Sequence, residues 1–289
     1  MAKNTRFRAY QLGNKGSSFS FSVDKHFTLI EARFNETNKP SIMFEMDKIE
    51  VKHINTLHIT SWDDDHCKYN ELETILNELI PTVIEYPDYK PHTENGTKSL
   101  ALIKEFERKR DFASTINYSP DRVNKLEPAQ KLKYNNVVYN PIEIVENSND
   151  NSIVQLFRAG RFTVLSLGDC ESKSIADRIG RCDIATSEVD VMIMAHHGAD
   201  NGFTTAEFIK NISPKIAVCS SNYNNQFDHP RDSIRNILHQ QDVNLYTTKT
   251  GDVVVYCNEG STVHVANLKS NSEDISSTTK FNAKQKVPD

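Results

Sequence analysis

The 289-residue chain lacks any run of about 18 apolar residues, so it offers no segment able to span a membrane. No contiguous apolar stretch follows Met1-Ala2-Lys3-Asn4-Thr5-Arg6, which argues against a cleaved secretory signal and leads us to expect a cytoplasmic protein. No CxxC pair occurs. The five cysteines, at 67, 170, 182, 219 and 257, are odd in number and widely spaced, excluding a disulfide framework or zinc ribbon and leaving free thiols. Basic residues are not in excess either: 34 Lys and Arg stand against 39 Asp and Glu, for a formal net charge of -5. Nucleic-acid affinity comes mainly from Lys and Arg neutralising phosphates, so any basic contact surface must be local.

What is there describes a globular chain, 37% apolar and 25% charged, long enough to bury a core without disulfide or metal staples. Short alternating runs, Ser18 to Val23, His26 to Ile30 and Ser41 to Phe44, predict strands, with antiparallel pairing at the start. Ile54 to Thr60 alternates into the stretch TSWDDDHC at 60–67, and behind it Leu72, Ile75, Leu76, Leu79 and Ile80 recur at helical spacing until Pro81. The acidic cluster therefore falls on a strand-to-helix loop. Periodicity weakens from about 86 to 147, around one helix near 98–110, and that stretch reads as an insertion or bridge between halves. Further on come strands at 152–157 and 162–167, a helix at 172–181, a strand at 189–195, a helix at 204–212, a strand at 215–220 and a helix at 230–240. Strands at 244–248, 252–257 and 262–266 close the order of a layered α/β domain spanning 1–269. Residues 270–289, rich in Ser, Thr, Asn and Lys, are expected to form a disordered tail.

Four polar clusters stand where strands end: Asp63/Asp65/His66, Gly168-Asp169, His196-His197-Gly198 and Asp228-His229-Pro230. Strand ends on one edge of an α/β sheet converge on a shared crevice. Each cluster alone has an ordinary use as helix cap, turn or packing. Together they supply the carboxylates and imidazoles that hold a divalent cation while leaving a position for water. The Arg108-Lys109-Arg110 group and Arg158/Arg161 read as solvated helix ends and hairpin turns.

In order, these pieces resemble the metallo-β-lactamase superfamily, in the branch of the soluble hydrolase domain of the DNA-uptake channel protein ComEC and its stand-alone relatives. The resemblance spans roughly residues 8 to 266. Gln11 to Ser18 is similar to that branch's LDVGQGDS, and Leu29-Ile30-Glu31 to its LID, with Glu31 in place of aspartate. Ser61-Trp62-Asp63-Asp64-Asp65-His66 resembles HxDxDH, departing at Ser61. Asn151 to Val154 resembles NSLV, Leu167-Gly168-Asp169 resembles TGD, Val191 to Ala199 resembles LKVPHHGS, and Asn222 to Pro230 resembles NNRYGHP.

The resemblance implies a four-layer αββα sandwich and one or two divalent ions (Mn2+, Zn2+ or Mg2+). Asp65, His66, Asp169 and His229 would form one cation site, and Asp63 with His196 or His197 the other. A hydroxyl is a poor zinc ligand, so Ser61 points to a weak or empty first site. Asp65 serves the chemistry, and whichever of His196 and His197 does not bind metal protonates the leaving oxygen. Lys15 and Ser17 on the glycine-bearing loop, with Asn222 and Asn225, are candidate phosphate contacts. The implied activity is phosphodiester cleavage in DNA, another nucleic acid or a nucleotide. A stand-alone domain of this kind suggests a role in defence against foreign nucleic acid beside a protein partner. Hydrolysis of a small ester, lactone or cyclic nucleotide, or a non-catalytic subunit that binds a partner, stays open on the sequence, as does oligomeric state.

Overall fold

The computed structural model describes residues 4–130 and 135–284. The elements in chain order are β1 (Thr5–Ala9), β2 (Phe19–Val23), β3 (His26–Ile30), α1 (Lys39–Lys48), β4 (Thr56–His58), α2 (Tyr69–Glu78), β5 (Val83–Pro87), α3 (Glu94–Lys109), β6 (Ser114–Tyr118), α4 (Pro120–Gln130) and β7 (Val137–Asn140). There follow β8 (Val154–Phe157), β9 (Val164–Ser166), α5 (Lys173–Ile179), α6 (Asp183–Glu188), β10 (Val191–Ile193), α7 (Ala206–Ile212), β11 (Ile216–Cys219), α8 (Asp232–Gln240), β12 (Asn244–Thr247), β13 (Val253–Cys257), β14 (Thr262–Leu268) and β15 (Ile275–Asn282).

Among the described residues the strands form a nine-stranded sheet, ordered β15-β14-β13-β1-β2-β3-β4-β5-β6, and a six-stranded sheet, ordered β12-β11-β10-β9-β8-β7. Strands β3 to β6 run parallel to one another, as do β9 to β12. A helical segment crosses over between each consecutive pair.

Alternation along the strands builds the layers, because successive side chains leave opposite faces of a sheet. Val191 and Ile193 face the nine-stranded sheet, where they join Phe7, Phe21, Val253, Val255 and Val265 in one inter-sheet core. Met192 and Met194 point the other way, into a second core with Ala176, Phe208, Ile209, Ile234 and Leu238 from the helices. Ile216 and Val218 against Ala217 and Cys219 divide in the same manner. On the outer face of the larger sheet, Leu29, Leu57 and Ile84 pack on Ile42, Met46, Leu72, Ile75 and Ile103 of α1 to α3. Helix, sheet, sheet, helix is the αββα order.

Three expectations change and one is narrowed. Ser41 to Phe44 is helical, within α1: Pro40 sits in the first turn and Ile42, Glu45 and Met46 recur at helical spacing as the buried face. Of the two readings of 86–147, insertion or bridge between halves, the topology supports the bridge: its β6 ends the nine-stranded sheet and its β7 is an edge of the six-stranded one; residues 131–134 lie outside the described residues. The tail expected to be disordered carries β15, which pairs antiparallel with β14. A ladder needs backbone groups rather than apolar side chains, Phe281 and Ala283 pack on the inter-sheet core, and Lys284 donates its backbone N–H to Asp190 (2.7 Å). Residues 285–289 of that tail lie outside the described residues. Arg158, read as part of a solvated turn, is buried and donates to Glu188 through Nε (2.6 Å) and Nη2 (2.7 Å). The membrane reading rests on helices alone: none among the described residues is long and apolar enough to cross.

Candidate metal centre

The carboxyl ends of β3, β4, β9, β10 and β11 share one edge of the sandwich, and the polar clusters follow them there. Among the described residues one group of three ligand-bearing side chains converges: His66, Asp169 and His197, with donor atoms all within 4.8 Å of one another. His66 Nε2 lies 2.8 Å from Asp169 Oδ1, His197 Nε2 lies 3.9 Å from the same oxygen, and His197 Nε2 lies 3.8 Å from Asp65 Oδ2.

Each ring is aimed from behind. The His197 Nδ1 stands 3.0 Å from the Ser220 carbonyl, which can only accept, so Nδ1 carries the proton and Nε2 presents a lone pair to the carboxylates. His66 Nδ1 lies 3.0 Å from Glu31 Oε1 and 3.2 Å from Thr60 Oγ1, and Glu31 accepts from the Thr60 N–H at 3.0 Å. A carboxylate behind a ligating imidazole fixes its tautomer and orientation. Glu31 was visible as an off-pattern residue in the sequence; its role as the support of His66 was not.

The electrostatics express the same arrangement. Burial pushes His66 down, but the Asp169 and Glu31 carboxylates outweigh it and hold the imidazole well above its ordinary value. Burial pushes Asp169 up, and His66, reinforced by His197 and His196, overrides it and holds the carboxyl well below its ordinary value. A divalent cation placed between them would meet the same attraction from the carboxylates.

Whether these residues fit a cation is answered by their unpartnered atoms. His66 Nε2 and His197 Nε2 are buried without a hydrogen bond, the first because its 2.8 Å approach to Asp169 lacks hydrogen-bond geometry. Buried polar atoms are seldom left so. Two imidazole nitrogens and the Asp169 carboxylate converge on one space, with Asp65 Oδ2 3.8 Å from His197 Nε2 beside it, and such a mixed donor set suits a borderline cation such as zinc or manganese.

Backbone strain gathers here too. Glu31, His196, His197 and Asp228 have φ of 70°, 44°, 52° and 55°, a region that costs a non-glycine residue energy and concentrates at functional sites. Gly198 continues the left-handed run at φ 77°, and a Cβ there would lie 2.6 Å from Pro230 Cβ. The loop carrying Lys15 is fastened by Arg33, whose Nη1 donates to the Lys15 carbonyl (2.7 Å) while its Nε and Nη2 engage Glu71 (2.9 and 3.2 Å). Gly16 is required at that crossing, since a Cβ would stand 1.9 Å from Arg33 Nη1.

The remaining sequence candidates divide. His196 is turned from the cluster, with Nδ1 2.7 Å from Glu171 Oε1, and Glu171 carried no signal in the sequence. His229 stacks with Phe227, its ring centroid 6.1 Å from that of His196. Burial, with repulsion from His197 and His196, lowers its pKa to about 4 and keeps it neutral. Asp63 accepts from Ser61 Oγ at 3.1 Å, and burial raises its pKa. Ser61 lies 3.1 Å from the buried Tyr89 hydroxyl, which also accepts from the Trp62 N–H at 3.0 Å. The position where the resemblance expects a first histidine is thus a closed hydrogen-bonded corner. Lys15, Asn222 and Asn225 line a cleft with Asp65, His197 and His229. The Asn225 amide is occupied within its loop, donating to the Asn222 and His229 carbonyls and accepting from the His229 N–H. Ser17 is buried, its N–H on the Asp65 carbonyl at 2.9 Å and its Oγ 3.4 Å from His197 Nδ1, so it holds loops together.

Among solved structures, Igni18, a novel metallo hydrolase from the hyperthermophilic archaeon Ignicoccus hospitalis KIN4/I, is similar over 87% of this chain and 98% of its own, with a TM-score of 0.50 and 12% identity. The chain has the metallo-β-lactamase-like fold. In sequence, 110 residues (38% of the chain) are 26% identical to ComE operon protein 3 of Bacillus subtilis (strain 168), and 102 residues (35%) are 28% identical to Competence protein ComA of Neisseria gonorrhoeae. These alignments cover 14% of each curated relative, so they relate the chain to a small part of much longer proteins. No family model matches the chain.

Proposed function

We propose that the protein is a divalent-metal-dependent phosphodiesterase acting on nucleic acid or a nucleotide, with one principal cation held by His66, Asp169, His197 and Asp65. The observation that carries the reading is the convergence of His66 Nε2, Asp169 Oδ1 and His197 Nε2 beside a cleft that also contains Lys15. A bound divalent cation supplies the charge that makes water nucleophilic near neutral pH and offsets negative charge in the transition state. The Lys15 ammonium positions the phosphate as a point charge. His196, with Nδ1 toward Glu171, has Nε2 as the atom that can deliver a proton to the leaving oxygen. The mixed imidazole and carboxylate donors favour manganese or zinc over magnesium.

The test is metal content of the purified protein together with a panel of single-stranded DNA, double-stranded DNA, RNA, cyclic nucleotides and lactones. Expected are near-stoichiometric metal, hydrolysis of a phosphodiester, and loss of both in His66→Ala and in chelator. Activity unaffected by chelation, or turnover of lactones with no phosphodiester cleaved, overturns the reading.

A further inference from the structure

The loop between β11 and α8 presents Phe227 with 52% of its surface exposed, while most aromatic rings of the chain are buried. The ring is stacked on His229, with centroids 5.6 Å apart and planes within 19°, and it lines the same cleft as Lys15, Asp65 and His197. An aromatic ring braced from one side by an imidazole is pre-oriented, so a planar ligand loses little of its stacking energy to ordering it. A flat apolar face, an ammonium and two of the proposed ligands, Asp65 and His197, in one cleft match two parts of one ligand: a nucleobase and the phosphodiester to be cut.

From this arrangement we infer that Phe227 is a specificity-determining residue that stacks on an unpaired nucleobase next to the scissile phosphate. The inference rests on the phosphodiesterase reading above and narrows its substrate class. In a duplex both faces of an internal base are already stacked. A base that can lie on Phe227 is therefore in a single strand, at an end or in a mononucleotide. Ring stacking is tolerant of sequence because every base has a π face, so the preference is for strandedness rather than for a particular base.

The test uses the full chain and a short single-stranded oligonucleotide containing 2-aminopurine, mixed in EDTA so that nothing is cut. Wild type is expected to quench the fluorophore, Phe227→Leu to lose the quenching while keeping apolar bulk, and Phe227→Trp to keep it. With Mn2+ present, the ratio of kcat/KM for a single-stranded oligothymidylate to that for a base-free sugar-phosphate oligomer should fall about tenfold in Phe227→Leu. Equal quenching by wild type and Phe227→Leu, no quenching by wild type, or duplex and single strand cut at equal rates overturns the inference. Quenching that depends on Phe227 with no phosphodiester hydrolysed under any metal upholds the base site and refutes the catalytic reading instead.

Discussion

Which of the two adjacent histidines holds the cation is decided by a thermal shift. A ligand present at one hundred times its dissociation constant stabilises the folded chain by about 2.7 kcal/mol. Unfolding entropy near 2.1 cal/mol/K per residue gives roughly 0.6 kcal/mol/K for this 289-residue chain, so saturating Mn2+ or Zn2+ should raise the melting midpoint by about 4–5 °C. His197→Asn removes the Nε2 that faces Asp65 and Asp169 at 3.8 and 3.9 Å. Losing a direct ligand weakens affinity by at least the roughly 100-fold that loss of a supporting partner can cost. The same metal concentration then only matches the new dissociation constant, and the shift falls to about 0.4 kcal/mol, under ~1 °C. His196→Asn should retain most of the wild-type shift, because its Nδ1 is directed at Glu171. Asparagine is the right replacement at both positions because it tolerates the left-handed φ of 44° and 52° found there. Differential scanning fluorimetry with and without metal reads the result. A shift abolished in His196→Asn and kept in His197→Asn would refute the assignment.

Tyr89→Phe strips the acceptor from the buried Trp62 N–H and one of two side-chain partners from Ser61, and should cost about 1–3 kcal/mol in urea denaturation; an unchanged midpoint would show that corner to be structurally idle. Glu188→Gln removes the carboxylate charge that the buried Arg158 Nε and Nη2 engage and should lower stability by about 1–3 kcal/mol in the same assay, whereas an unchanged midpoint would show that the charge of that pair contributes nothing. Burial raises the Asp190 carboxyl to about 6 against the hydrogen bonds it accepts, so the folded chain prefers its neutral form. The stability this provides is present in full below pH 3.8 and is lost as pH rises through about 6. The loss amounts to about 3 kcal/mol, and Asp190→Asn should flatten the stability profile between pH 4 and 7. An identical slope in wild type and variant would contradict it.

The sequence by itself determined the order of strands and helices in the second half of the fold and the identity of the polar residues at its edge. In 152–266 the apolar alternation and helical repeats are dense, because β8 to β11 are buried on both faces and the helices there on one. The strands and longer helices there were therefore legible; the six-residue α6 was too short to show a repeat. Asp65, His66, Asp169 and His197 were legible as candidates because polar residues directly after apolar strands fall at the sheet edge, where a crevice forms. Tertiary structure alone decided the rest. The backbone after β10 is left-handed through His196, His197 and Gly198, and that turn, invisible in residue types, sends one imidazole to the carboxylates and the other to Glu171. Glu31 could be seen as an oddity but not as the brace of His66, since the two are 35 positions apart and meet only when β3 and β4 pair. Residues 275–282 carry too little apolar content to announce a strand, and they form one because the free edge of β14 supplies the backbone partners that composition does not encode.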